Sequence, residues 1–183
     1  MVFWLVACAG FRFEEGDSAD SGDTSAPATS DWCDDTYSTS APAEADCATG
    51  TMTCGDVELA TTEGGYRAYD GEQYPPLFCF PNLDRSTYAG SERIYVVELA
   101  AEQYAEAVLS ASCARMGLSV MRWPKPGTCP TGETDVTVCE GKEGTGTLAV
   151  TFGGYETENR WVIVVDTAEE DPAAFRLALA CAE

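Results

Sequence analysis

The side chains best equipped for chemistry in this sequence are carboxylates and thiols. Its 183 residues include 31 Asp and Glu, nine Cys and no His. Without His the commonest general base and the commonest zinc ligand are both missing. A Ser or Cys nucleophile then lacks its usual partner, so Ser91, Ser110, Ser112 and Ser119 are read as strand and turn residues. A carboxylate pair at the right separation could hydrolyse a glycoside, but with so many acids some pair meets that distance by chance. The expectation is therefore no catalytic residue and no enzyme. No cofactor is expected either, unless it is Ca2+, which takes several oxygens from carboxylates and carbonyls. The loop Asp166-Thr167-Ala168-Glu169-Glu170-Asp171 offers Asp166, Glu169, Glu170 and Asp171 as such a set. Its bland alternative is a solvated turn ended by Pro172. No Asp-x-Asp-x-Asp-Gly loop of EF-hand type is present.

Aromatic rings offer a second kind of chemistry. Tyr66, Tyr69, Tyr74, Phe78 and Phe80 crowd the stretch around Pro75-Pro76. Exposed, they would form a platform for a glycan or a peptide, because flat rings bury area at little entropic cost. Buried, they would close one end of a β domain. The formal net charge of −21 disfavours nucleic acid, whose phosphates require basic partners. It also disfavours direct docking on anionic lipid headgroups.

The thiols point to a compartment. Nine Cys is an odd and high number for a chain of this size. The opening Met1 to Ala7 is apolar and ends in Leu5-Val6-Ala7-Cys8. A branched apolar residue, Val, a small residue and then Cys resembles the lipobox of bacterial lipoproteins. That resemblance implies cleavage of residues 1–7 as a signal peptide and acylation of Cys8. Setting Cys8 aside, nine minus one leaves eight Cys, an even set for disulfides. A secretory signal usually has a basic start and an apolar core of roughly 7–15 residues, and a start codon upstream of Met1 would supply both. Ala9, where Asp would signal inner-membrane retention, leans toward the outer membrane by the same resemblance. Two or three acyl chains hold stably, since each buried CH2 contributes about 0.8 kcal/mol.

Elements must then position whatever the domain binds. No Val, Ile or Leu occurs between Val6 and Val57, and no Lys or Arg between Arg12 and Arg67. Residues 8–46 therefore read as a lipidated Cys followed by an acidic, low-complexity, disordered tether. From Cys47 onward short apolar runs alternate with polar turns. Expected strands are Val57 to Ala60, Arg93 to Leu99, Glu106 to Ala111, Leu118 to Trp123, Asp135 to Cys139, Gly146 to Phe152, Arg160 to Asp166 and Phe175 to Leu179. Arg160 to Asp166 is apolar on both faces, as a central strand would be. Turns are expected at Gly64-Gly65, Pro75-Pro76, Glu102-Gln103, Pro124 to Gly127, Gly141 to Gly144 and Gly153-Gly154. The fold class is all-β: a disulfide-stapled antiparallel β-sandwich, jelly-roll-like, over residues 47–183. Val150, Phe152, Ile163, Val165, Leu177 and Leu179 should face its core.

Several segments then share an order. They are Thr53-Cys54-Gly55-Asp56, Cys79, Tyr88 to Tyr95, Trp161 to Asp166 and Leu179-Ala180-Cys181. This order resembles the bacterial pre-peptidase C-terminal (PPC)-like domain, a small exported β-sandwich. The resemblance implies an accessory, non-catalytic module. The acidic strand usual near the middle of that family is replaced here by Arg115-Met116-Gly117-Leu118-Ser119-Val120-Met121. Spacing alone does not decide the disulfide pairing. Cys129–Cys139 is expected because the two flank a Pro/Gly loop, Cys47–Cys181 because first and last strands often meet, Cys54–Cys79 next, and Cys33–Cys113 by elimination.

Taken together, the expectation is an exported protein anchored by lipid in the outer membrane or at the cell surface. Its β domain would serve binding, adhesion or assembly, with a glycan or protein ligand and no nucleic acid. The alternatives are a carboxylate-based secreted hydrolase and a purely structural surface module.

Overall fold

A computed structural model of the chain describes residues 48–67, 69, 88, 90–123 and 138–182. Cys8, the tether at 8–46 and the boundary at Cys47 lie outside the described residues. In chain order the strands are β1 (Gly50–Thr51), β2 (Val57–Thr61), β3 (Arg93–Leu99), β4 (Tyr104–Arg122), β5 (Val138–Gly153), β6 (Asn159–Thr167) and β7 (Ala174–Ala182). Among the described residues there is no helix. The all-β expectation holds, and the strands belong to one seven-stranded sheet in the order β1-β3-β6-β4-β7-β2, with β5 also on β4. Every pairing is antiparallel except the short β1–β3 contact.

The two expected strands Glu106 to Ala111 and Leu118 to Trp123 are halves of one strand, β4. The polar run Ser112-Cys113-Ala114-Arg115 looks like a turn in sequence. It is instead an irregularity between the pairs Ala111–Gly146 and Met116–Gly144, where β4 carries extra residues relative to β5. Such a bulge bends a strand and raises its twist. Before the bend β4 pairs with β7; after it, with β6. The sheet thus divides into two arms, β7–β2 and β6–β3–β1, that share β4 and β5. The expected turn at Gly141 to Gly144 is also corrected. Those residues lie within β5, with Gly141 opposite Ser119 and Gly144 opposite Met116. Their glycines serve the bend rather than a chain reversal: Gly144 has φ 155° and Gly146 φ 90°, conformations that a Cβ resists.

One buried apolar cluster joins the arms. Ala107 and Leu109 of β4, and Phe175, Leu177 and Leu179 of β7, meet Leu118, Val120, Ile163, Val165, Tyr95 and Val97 of the other arm. The residues expected to face inward, Val150, Phe152, Ile163, Val165, Leu177 and Leu179, are all in it. Burial distinguishes the arms. The first half of β4 alternates, with Ala105, Ala107 and Leu109 buried and Tyr104 and Glu106 exposed. The second half, Met116 to Met121, is buried on both faces, as is β6 from Trp161 to Thr167. Arg160 to Asp166 is thus the interior strand that its two apolar faces suggested, flanked by β3 and β4. The expected turn at Glu102-Gln103 is present. Glu102 has φ 63°, and the Gln103 amide donates to the Ala100 carbonyl at 3.3 Å.

The sheet curls until its ends, β1 and β2, approach each other. No ladder between them is part of the sheet. Arg93 of β3, buried to 1% exposure, reaches across instead. Its Nε donates to the Thr61 carbonyl at 2.9 Å and its Nη2 to the Glu63 carbonyl. A long buried cation thus links the last turn of one arm to the other.

The disulfides differ from expectation. Cys54 is bonded to Cys181, with Cα atoms 5.4 Å apart. This overturns both Cys54–Cys79 and Cys47–Cys181. The reason is register. β2 pairs antiparallel with β7 from Val57–Ala178 to Thr61–Ala174, and extending that ladder backward sets Cys54 opposite Cys181. The chain ahead of Cys54, at β1, lies on β3 at the other end of the sheet. Cys113 and Cys139 are disulfide-bonded as well. Cys33, Cys47, Cys79 and Cys129 lie outside the described residues.

Candidate functional site

The dipeptide Arg-Trp occurs at 122–123, where β4 ends, and at 160–161, where β6 begins. The strands are antiparallel neighbours, with Arg122 opposite Trp161. The Trp123 amide donates to the Arg160 carbonyl at 3.0 Å. Each arginine therefore sits across from the other dipeptide's tryptophan. Because side chains alternate along a strand, Arg122 and Trp161 share one face of the sheet and Arg160 and Trp123 the other.

On the core face, Trp161 is buried and stacks at a tilt against Phe152 (centroids 5.0 Å) and Tyr155 (5.9 Å). Its indole N–H donates to the Asn159 side-chain oxygen, and Asn159 Nδ2 donates to the Thr157 carbonyl at 2.9 Å. Tyr155 is held by its own carbonyl, which accepts the Glu102 amide at 2.6 Å. Arg122 lies over this ring, with Cζ 3.9 Å from the centroid. On the opposite face the Arg160 guanidinium stands 5.1 Å from the centre of the buried Trp123 ring. Arg160 Nε and Trp123 Nε1 are both out of water and, among the described residues, without a hydrogen-bond partner. Glu98 faces Arg160 across β3 and β6.

These side chains border a cavity of about 460 Å3, lined by Glu98, Leu99, Ala100, Arg122, Glu158, Asn159 and Arg160. That is within the usual size of small-ligand sites, about 300–1,000 Å3. Two of the ten cationic residues of a −21 chain line the cavity from opposite faces of the sheet, beside Glu98 and Glu158. Among the described residues the ion pair is Arg115–Glu143, so neither cleft arginine is tied to a carboxylate. A guanidinium stacked on a ring keeps its edge free and pre-aligned for a bidentate acceptor. The arrangement can hold an anion against aromatic surface. The sequence signal for it was the repeated Arg-Trp pair, which marks a site only once the β4–β6 register is known.

The residues singled out from sequence are placed differently. Asp166 is buried on β6, whereas Glu169, Glu170 and Asp171 stand exposed on the turn after it. The four are not gathered around one point. No group of three metal-binding side chains converges among the described residues. Of the aromatic platform, Tyr66 is exposed and bridges Glu92, while Tyr69 is buried, its amide donating to Glu92 Oε1 at 2.9 Å. The two do not share an exposed face, and Tyr74, Phe78 and Phe80 lie outside the described residues.

Two more polar centres belong to the fold. Tyr88 adopts φ 74°, packs on Gly117 and donates its hydroxyl to Glu143 Oε2 at 2.7 Å. Arg115 pairs with the same carboxylate. Burial first, then Glu143, pushes the Tyr88 phenol well above its ordinary range. Burial does the same to Tyr95, helped by the nearby charge of Glu58.

No protein-family model matches the chain, and no curated protein matches it. Two solved structures superpose on it at a TM-score of 0.41. One is PliG of Aeromonas hydrophila, a periplasmic inhibitor of g-type lysozyme, with 13% identity over 73% of this chain and 94% of that one. The other is CorA of Methylomicrobium album BG8, a surface-associated copper-binding protein, with 10% identity over 73% of this chain and 98% of that one.

Proposed function

We propose that the chain is an exported, non-catalytic binding module, held to a membrane through a lipid on Cys8, that takes an anionic ligand in the Arg122–Arg160 cleft. The observation that carries the ligand site is the pair of ring-stacked guanidiniums lining one cavity without a carboxylate partner. A carboxylate or sulfate group would bind edge-on to Arg122, whose ring partner Tyr155 offers apolar surface beside it, while Arg160 adds positive charge at the rim from the other face of the sheet. Export is supported by the disulfides: Cys54–Cys181 and the bonded Cys113 and Cys139 fit an oxidising compartment. An accessory role is also what the resemblance to PPC-like domains implies.

Two experiments test the two halves. The purified protein is titrated by calorimetry against acidic and neutral oligosaccharides and peptides, with and without Arg122→Gln/Arg160→Gln. Binding of acidic members alone, lost in the double variant and weakened by salt, is the expected result. Equal binding by the variant removes the cleft from the reading. For the anchor, intact mass and palmitate labelling of native protein are compared with Cys8→Ala. A variant that stays in the membrane fraction, or native protein that retains residues 1–7, ends the lipoprotein half.

A further inference from the structure

The ends of the curled sheet leave a seam between β1 and β2. It is a cavity of about 320 Å3 lined by Thr49, Thr51, Met52, Asp56, Glu58 and Tyr95, among others. Three observations set its chemistry. First, β2 has an edge that no strand pairs with among the described residues. The Leu179 amide donates to the Asp56 carbonyl at 3.0 Å, and β2 and β7 stay in register from there. Antiparallel alternation then turns the main-chain groups of Asp56, Glu58 and Ala60 toward β7, and those of Val57, Leu59 and Thr61 outward. The Thr61 carbonyl confirms the parity, since it accepts Arg93 Nε. Val57 and Leu59 keep their amides and carbonyls on the open edge, and their side chains are 50% and 40% exposed.

Second, the Tyr95 hydroxyl is buried at the seam and has no hydrogen-bond partner among the described residues. The residue is 3% exposed. A hydroxyl out of water without a partner costs about 1–3 kcal/mol, and a carbonyl brought into the seam would satisfy it. Third, the seam is acidic. Glu58 points to the same side of β2 as the core residue Ala60 and acts electrostatically on Tyr95. Asp56, which accepts the Thr53 amide (2.7 Å) and hydroxyl (2.9 Å), adds a second carboxylate.

We propose that this seam accepts an extended, lysine- or arginine-bearing segment of a partner protein as an added strand on the free edge of β2. Main-chain bonds to Val57 and Leu59 supply affinity, and Glu58 reads the basic side chain. Charge argues against a second copy as the occupant. Antiparallel pairing of two β2 edges that matched Val57 of each copy with Leu59 of the other would set Glu58 against Glu58 between bodies of net charge −21 each.

The test uses the full chain and two eight-residue peptides of alternating valine with either lysine or glutamate. Anisotropy measures binding, and hydrogen exchange measures the Val57 and Leu59 amides. The lysine peptide is expected to bind at least tenfold tighter than the glutamate peptide, slow exchange at both amides, and weaken with salt. Val57→Pro removes an outward amide that β7 does not use, so the variant should fold and lose the peptide at least tenfold. Tyr95→Phe should fold and bind more weakly. Arg122→Gln/Arg160→Gln should bind the peptide unchanged, which separates this site from the cleft. Failure of both peptides to bind overturns the proposal. So does binding that leaves the two amides unprotected, or undiminished binding by a folded Val57→Pro. Protection of those amides by self-association at rising concentration, seen in sedimentation, overturns it in favour of a dimer.

Discussion

Removing the Cys54–Cys181 bridge by Cys54→Ser/Cys181→Ser should cost the domain a large share of its stability. The bridge joins residues 127 positions apart. Chain-entropy reasoning for a loop of that length gives about 5 kcal/mol at 25 °C. That is an upper bound, because Cys113 and Cys139 are bridged too and already restrict the unfolded chain. The expected loss is about 3–5 kcal/mol. The native side adds a local effect, since β2 is hydrogen-bonded within the sheet to β7 and the bridge sits at the start of that ladder. Urea unfolding followed by fluorescence of the buried Trp123 and Trp161 reads the change. At about 2 kcal/mol per molar urea, the midpoint should fall by roughly 2 M. Amide exchange of Val57–Thr61 should quicken more than that of β6. A midpoint within about 0.3 M of the parent would refute the reasoning, as would a peptide map of the parent that joins Cys54 to Cys79.

Gly117→Ala should destabilise by about 1–3 kcal/mol, because a Cβ there would lie 2.7 Å from the Tyr88 ring; thermal melting reads it, and Tyr88→Ala in the same background should relieve the clash. Asn159→Ala strands the indole N–H of the buried Trp161 and should cost about 1–3 kcal/mol in urea; an unchanged midpoint would mean the bond contributes nothing. Alkaline pH should unfold the domain. Tyr88 and Tyr95 hold their protons in the native state above the ordinary pKa of about 10. The unfolded chain surrenders those protons first, so the stabilisation is complete below roughly pH 10 and drains away above it. The urea midpoint should decline between about pH 10 and 12, less steeply in Tyr88→Phe/Tyr95→Phe; equal slopes would contradict the assignment.

Period-two patterning made β7 and the second half of β5 legible, and an apolar run on both faces did the same for β6, since their apolar residues are dictated by the core they face. The same pattern could not show that 106–111 and 118–123 form one strand. What joins them is a bulge stabilised by β5 across the sheet, and Ser112 to Arg115 carry no local sign of it. Gly141 to Gly144 misled for the matching reason: glycine marks a bend as readily as a turn. The Cys54–Cys181 bond follows from the β2–β7 register, which is a property of the folded sheet and not of cysteine spacing. The cleft was hidden likewise. Arg122 and Arg160 are far apart in the chain, and only the offset of β4 on β6 crosses their Arg-Trp pairs.

The neighbourhood of β2 and β7 also sets the order in which the protein can be made. Residues 57–61 must wait for residues 174–182 before they gain a hydrogen-bonded neighbour. During synthesis the early segment stays unzipped until residues 174–182 have emerged. Completion is then abrupt: the last strand docks, the curl shuts, and the oxidation of Cys54 with Cys181 latches it.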